Sequence, residues 1–170
     1  MSWRFPSVDE LRNIVYNSSF AFREAAGSTA SSWLIRDSRL AIAIVVVNRV
    51  KQHCTPEPGW GRGKRTEPAD FISDPNYSLS VPGNQVAYDE CRAVAASALS
   101  LQTLPIDHES LLGGANMYAH YSSFPPQFFG RLPGSRLVAW WGPMYAQIGE
   151  RYLGVYMDRW WRDRAIRRGP

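Results

Sequence analysis

The sequence has no apolar run long enough to span a membrane and only two cysteines among its 170 residues. Its longest apolar run, Leu40–Val47, ends at Asn48 and Arg49, well short of the roughly 20 residues that a spanning helix needs. The first ten residues, MSWRFPSVDE, lack the basic and then apolar layout of a secretory signal. We therefore expect synthesis in the cytoplasm without a signal peptide, and no membrane span.

The scarcity of cysteine also limits redox and metal chemistry. Cys54 and Cys91 can form one disulfide in an oxidising compartment or remain two buried thiols. A tetrahedral zinc site needs closer ligands than these cysteines and the three histidines offer. We predict no metal and no cofactor.

Several catalytic motifs are missing. The chain has no GxSxG nucleophile elbow, no HExxH zinc pattern and no phosphate-binding glycine loop. Cys54 follows the predicted end of a helix and Cys91 follows two acidic residues, and both settings disfavour a thiolate. A cysteine amidase is therefore a weak alternative, and carboxylate chemistry is left as the main one.

The charge is basic and partly local. The net charge is +4, and residues 158–168 contain five arginines against two aspartates. Such a protein favours anionic partners, among them nucleic acid, membrane surfaces and peptidoglycan. Trp160 and Trp161 in the same segment can stack on bases or dock a terminal helix onto its domain. A basic nucleic-acid-binding module is thus a second hypothesis.

We predict one mainly α domain over residues 1–170, with 158–170 as a basic C-terminal extension and long loops that border a groove. Periodicity and caps predict helices at about 8–24, 38–52, 84–101 and 137–166, the last a pair broken near Gly142–Pro143. Segments rich in proline and glycine predict loops at 54–83 and 105–136.

Two helices carry further signals. SVDE at residues 7–10 is a capping box for the first helix. Asp37 or Ser38 is the expected N-cap of the second, whose sequence RLAIAIVVVNRV is apolar on nearly every side. It therefore predicts a central core helix, with a buried strand as the competing interpretation because valine favours strands.

The stretch REAAGS, residues 23–28, is the best candidate for carboxylate chemistry. Small residues follow Glu24 at the predicted helix end, leaving room for a bulky ligand beside the carboxyl group. Glycoside cleavage needs an acid that protonates the leaving oxygen, and burial near apolar side chains raises a carboxyl pKa for that role. The alternative is an ordinary glutamate at a helix end.

Four blocks of sequence, in order, resemble the cell-wall hydrolases of the spore-cortex-lytic (SleB) type. They are REAAGS…AIAIVVVNRV, ADFIS, GGANMYAHY and IGERYLGVY, and they cover roughly Tyr16 to Tyr156. The resemblance implies a lysozyme-like α fold and cleavage of the MurNAc–GlcNAc bond of peptidoglycan, by a lytic transglycosylase or a muramidase. Glu24 matches the family's catalytic glutamate, acting as general acid and then base.

The chain also departs from that family. Ser28 stands where the family often has a second acidic residue, and DFIS replaces its QFS element, which puts Asp70 near the position of the glutamine. The insertion GWGRGKR has no counterpart that we can align. Asp70 is the only candidate for a second carboxylate, as in a two-carboxylate muramidase.

The remaining blocks predict a sugar groove. The candidate substrate-binding residues are Phe71, Ser73, Asn116, Tyr118, His120 and Tyr121. Met117 and Ala119 alternate with the last four and indicate an extended piece with one buried side, so some of these polar residues can instead be merely solvated. Asn48 and Arg49 are expected to support a helix end, and Trp140 and Trp141 to lie in the core, although one of them can line the groove.

These predictions also bear on where the protein acts. Its expected partners are the glycan strands of peptidoglycan, in the periplasm or cell wall, including that of a target cell. A lytic domain without a signal peptide suits a phage lysin or a toxin effector injected by a secretion system. In the effector case we expect a cognate immunity protein that blocks the groove.

Overall fold

The computed structural model describes residues 5–19, 32–52, 82–121, 135–146 and 149–158. Within them lie the helices α1 (Val8–Ser18), α2 (Ser32–Lys51) and α3 (Gln85–Leu99), a short 3₁₀ helix (Glu109–Gly114), and the strands β1 (Met117–Tyr121), β2 (Ser135–Ala146) and β3 (Gly149–Asp158). The three strands form one antiparallel sheet in the order β1–β3–β2. The described chain is therefore an α+β fold.

This sheet overturns the expected mainly α fold. Most of the predicted helix pair at 137–166 is occupied by strands β2 and β3. In β3, Leu153 and Val155 belong to the main core while the alternate residue Tyr156 belongs to a second cluster, the period of two that a strand imposes. Gly142–Pro143 does not break a helix: it falls within β2, at a shift in the register with β3.

The predicted loop at 105–136 is also partly wrong, because it contains the 3₁₀ helix and β1. The expected extended piece with one buried side is confirmed. Met117 is buried in the second cluster and Ala119 packs against that cluster, on the face of the sheet that points away from the helices. We call this the outer face, and the opposite one the helix face.

The helix predictions hold in part, because α1 ends at Ser18 and not at about residue 24 as predicted. Ser7 Oγ accepts from the Glu10 amide at 3.1 Å, and the Glu10 carboxylate accepts from the Ser7 amide at 3.0 Å, so the capping box is confirmed. The predicted start of α2 is wrong, because the helix begins at Ser32 and Ser38 lies inside it. There the Ser38 hydroxyl donates to the Leu34 carbonyl at 2.7 Å, one turn back.

Helix α2 is the centre of the molecule. Every residue from Ala41 to Val50 is buried, as predicted for a core helix. Its apolar side chains pack against α1, α3 and the helix face of the sheet in one continuous core. In the described part of the chain, no helix is long and apolar enough to cross a membrane.

Polar contacts fix how the helices run beside each other. Asp9 meets Arg92 at 3.2 Å and Asn13 accepts from the Tyr88 hydroxyl at 2.6 Å, so α1 and α3 are antiparallel. Helix α2 is joined to α3 by an ion pair between Arg39, which is 0% exposed, and Glu90. A buried charge needs such a partner, since an unpaired guanidinium in the core costs several kcal/mol.

Candidate functional site

The predicted site residues divide into two groups. Glu24, Asp70, Phe71 and Ser73 lie outside the described residues, as do Cys54, the 54–81 part of the predicted loop at 54–83, and residues 159–170, which include Trp160 and Trp161. The others, Asn116, Tyr118, His120 and Tyr121, lie on or next to β1. The structure places them in three different environments.

Asn48 and Arg49 support the chain that leads into β1. The Asn48 amide donates to the carbonyls of Leu111 and Ala115 at 2.7 and 2.8 Å. The Arg49 Nε donates to the Asn116 carbonyl at 2.7 Å. Both side chains are buried, which confirms the structural role predicted for them.

Asn116 belongs to the same buried network. Its side-chain amide donates to Gln52 Oε1 at 2.9 Å, and Gln52 in turn donates to the Gly114 carbonyl at 2.7 Å. Its backbone amide donates to the Tyr156 carbonyl at 2.9 Å and so begins the pairing of β1 with β3. Because Asn116 is fully buried, this position suits a role in holding β1 rather than contact with a ligand.

Tyr118 and His120 point to the helix face. The Arg49 guanidinium lies over the Tyr118 ring, 5.4 Å from its centre, a cation–π distance. The Tyr118 and His120 rings meet edge to face with their centres 6.0 Å apart. Both side chains are half-buried. This face of β1 is therefore packed against the helices.

His120 ties the end of β1 to the end of α1. Its Nε2 lies 2.8 Å from the Ser18 carbonyl, and because a carbonyl can only accept, Nε2 carries the proton. Burial lowers the pKa of His120 to about 4, the hydrogen bond to Ser18 opposes this shift, and the Arg151 cation adds to it. His120 is thus neutral at pH 7.

Tyr121 lies on the outer face of the sheet. Its hydroxyl shares a hydrogen bond of 2.5 Å with the hydroxyl of Tyr156. Burial, followed by this hydrogen bond, raises the pKa of Tyr156. Both rings cover Gly154 of β3, where an added Cβ atom would lie 3.2 Å from Tyr156 and 3.3 Å from Tyr121. Tyr121 is thus the one of the four candidates that belongs to an aromatic outer surface.

The two neighbouring tryptophans of β2, Trp140 and Trp141, lie on opposite faces of the sheet. Trp141 packs against the main core, whereas Trp140 is 48% exposed. The Trp140 ring lies 6.2 Å from the ring of Tyr152. The sequence analysis allowed for one tryptophan that lines a groove. It did not identify Tyr152 as a candidate, because residues 137–166 were interpreted as helix. The alternation in RYLGVY is the signal that would have placed Tyr152 on the outer face.

The end of α1, which precedes Glu24 in the chain, and the N-terminal half of α2, which follows it, contact one end of this sheet. Ser19 ends α1 beside the contact between Ser18 and His120, and the N-terminal half of α2 passes β2, where Ser38 Oγ is 3.1 Å from Met144 Sδ. In the sheet this is the end where Tyr121 pairs with Tyr152. Glu24 comes five positions after Ser19, so its Cα atom lies at most about 18 Å from that of Ser19.

The described residues add little to the other chemistries. Cys91 is fully buried as a thiol on α3, which denies a substrate access to its sulfur. No group of three His, Cys, Asp or Glu side chains that could hold a metal occurs within the described ranges. Glu24, which lies outside the described residues, therefore remains the candidate catalytic residue.

Comparisons with protein-family models, with curated proteins and with solved structures find no match to this chain. The similarity to spore-cortex-lytic hydrolases rests on the sequence blocks alone.

Proposed function

We propose that the protein cleaves the glycan strands of peptidoglycan at the MurNAc–GlcNAc bond, with Glu24 as general acid and then general base. One observation supports this proposal most strongly. Ser18, six residues before Glu24 in the chain, contacts His120 of β1, and the next residue of that strand, Tyr121, is paired with Tyr152. Aromatic rings with polar hydroxyl groups suit the apolar faces and hydroxyls of sugars.

A single carboxyl group suffices for this chemistry if the enzyme is a lytic transglycosylase. The Glu24 carboxyl group would give its proton to the leaving oxygen as the glycosidic bond breaks. The muramyl 6-hydroxyl would then attack C1 and return its proton to the Glu24 carboxylate. The product is a 1,6-anhydromuramyl end, and no water is consumed. The two-carboxylate alternative, a muramidase with Glu24 and Asp70, would instead add water and form a reducing end.

The proposed place of action is the bacterial cell wall. The net charge of +4 favours this anionic polymer. We propose delivery either as a phage lysin or as a secreted effector, and in the second case a cognate inhibitor protein would cover the groove. The nucleic-acid alternative depends on residues 159–168, which lie outside the described chain.

The experiment compares Glu24→Gln with the wild type in the release of dye from labelled, purified cell walls. Glu109→Gln is the matched control, because Glu109 is an exposed glutamate on the 3₁₀ helix. We expect Glu24→Gln to lose about 10²–10⁴-fold in rate, the usual cost of losing a general acid, and to unfold at the wild-type temperature. Glu109→Gln should retain full activity. Wild-type rates for folded Glu24→Gln would disprove the assignment.

A further inference from the structure

The backbone of β2 fixes the position of its exposed tryptophan, Trp140, on the outer face. The register between β2 and β3 shifts on both sides of Trp140, once between Leu137 and Ala139 and once between Trp141 and Met144. Such bulges redirect a side chain relative to a regular strand. The residue opposite Trp140 on β3 is Gly154, which has no side chain to cover the indole.

Tyr152 fixes the other half of this surface. Gly142 has φ +139°, and a Cβ atom added there would lie 2.6 Å from Tyr152 Cδ1, so the tyrosine ring rests directly on the glycine backbone. The Trp140 and Tyr152 rings are 6.2 Å apart and inclined by 46°. The two rings therefore form a platform whose geometry depends on a glycine.

The size of the platform favours a small ring over a protein partner. An aromatic side chain buries about 200 Å² in a contact, so an indole that is 48% exposed offers about 100 Å². A stable protein interface needs about 800 Å² on each side. One sugar ring, with an apolar C–H face and hydroxyls at its edge, matches the available surface.

The residues of the platform and their cross-strand partners in the described strands favour a neutral ligand. Trp140, Tyr152 and their cross-strand neighbours Gly154 and Tyr121 are all uncharged. Arg151 precedes Tyr152, but the alternation of β3 directs it to the helix face, where its charge acts on His120. A nucleotide would bring a phosphate to a surface with no cation among these residues, and a hexosamine ring would not.

We propose that Trp140 and Tyr152 form a stacking subsite for a neutral N-acetylhexosamine ring. The identification of the ring with a peptidoglycan strand rests on the proposed function, whereas the subsite itself rests on the platform. Tyr152 is paired with Tyr121 at the end of the sheet where His120 contacts Ser18.

Binding is measured in the Glu24→Gln background, so that cleavage cannot remove the ligand. The probes are insoluble peptidoglycan, by co-sedimentation, and a soluble oligomer of N-acetylglucosamine, by calorimetry. We expect Trp140→Ala to weaken binding of both probes roughly 10-fold, since it removes the main stacking ring, and Tyr152→Leu to weaken it less. Trp140→Phe should retain most of the affinity. The matched control is Trp33→Ala, because Trp33 is 62% exposed but lies on α2.

The outcomes separate the two proposals. Unchanged affinity of folded Trp140→Ala, or an equal loss in Trp33→Ala, overturns the subsite even if the wild type digests cell walls. A wild type that binds the oligomer through Trp140 but releases nothing from cell walls overturns the enzyme and supports the subsite. If circular dichroism shows that Trp140→Ala does not fold, Trp140→Phe and Tyr152→Leu are compared instead, each in the Glu24→Gln background. The platform predicts that Tyr152→Leu binds both probes more weakly than Glu24→Gln alone. Equal affinity of these two proteins would contradict the platform.

Discussion

The imidazole of His120 joins two elements that are 102 residues apart, because its Nε2–H donates to the carbonyl of Ser18. The sequence presented this histidine as one of several polar residues that could touch a sugar. Its role as a tie between β1 and α1 depends on a partner far away in the chain, which no local pattern reveals. The neutral state of His120 is part of this tie.

A pH dependence of stability follows. The pKa of His120 is lowered in the folded protein to about 4, against 6.5 for the free side chain, so the unfolded chain binds the proton more readily. Neutral His120 makes its full contribution to the free energy of unfolding above pH 6.5. This contribution, up to about 3 kcal/mol, is lost as the pH falls toward 4. Urea unfolding at pH 7.5 and pH 4.5 measures the difference.

The control variant for this prediction is His120→Gln. Glutamine keeps an N–H donor at a similar reach but does not titrate, so this contribution to the pH dependence should disappear. If His120→Gln and the wild type lose the same stability between the two pH values, the acid sensitivity comes from other groups and our assignment is wrong.

Asn48 and Asn116 show how far single residues can be interpreted. The structural role of Asn48 was predictable because it ends an apolar helix, where an amide commonly satisfies nearby backbone groups. Asn116 was assigned to substrate because it precedes a segment in which polar and small or apolar residues alternate. Its partner Gln52 lies 64 residues away, so its burial depends on tertiary packing and not on this local pattern.

At the scale of elements, three helices were predicted with errors at the end of α1 and the start of α2, whereas β2 and β3 were mistaken for a helix pair. The capping box at Ser7 and the apolar stretch of α2 act within a few residues of sequence, so they are readable locally. The pairing of β1 with β3 joins residues more than 30 apart, and only that pairing makes their alternation meaningful. Gly142–Pro143 was wrongly interpreted as a break between two helices. The same two residues can also accompany a bulge in a strand, as they do in β2.

Gly142 therefore provides a test of the sheet. Alanine at this position would have to adopt φ near +139°, a conformation that L-residues avoid, and its methyl group would meet Tyr152 at 2.6 Å. We expect Gly142→Ala to lower the free energy of unfolding by about 2–3 kcal/mol. Thermal or urea unfolding gives this value.

Gly113→Ala is the matched control for Gly142→Ala. Gly113 also has a positive φ, +60°, but no atom lies within 4 Å of the added Cβ position. Gly113→Ala should lower the free energy of unfolding by only about 1 kcal/mol, which is the penalty of placing a residue with a Cβ atom in the left-handed conformation. Equal costs for the two variants would mean that the contact of Tyr152 with Gly142 does not constrain the sheet.

At the scale of the whole molecule, α2 is the element on which the other described helices and the sheet pack. Its apolar surface holds the core, its Arg39 is paired with α3, and its polar end holds the chain that enters β1. The aromatic outer face is left on the far side of the sheet from this helix. A central helix was predictable from the apolar segment RLAIAIVVVNRV, whereas the α+β class was not predictable, because it depends on how distant segments pair.

The most direct test of the central claim is mass spectrometry of the fragments that the wild-type protein releases from purified peptidoglycan. We predict glycan fragments with 1,6-anhydromuramyl ends, each one water lighter than a reducing end, because Glu24 acts alone. Asp70→Asn should release the same fragments at most of the wild-type rate, and Glu24→Gln should release almost none. Reducing ends together with an inactive Asp70→Asn would contradict the single-carboxylate mechanism, and intact glycan strands after incubation with the wild type would contradict the proposed function itself.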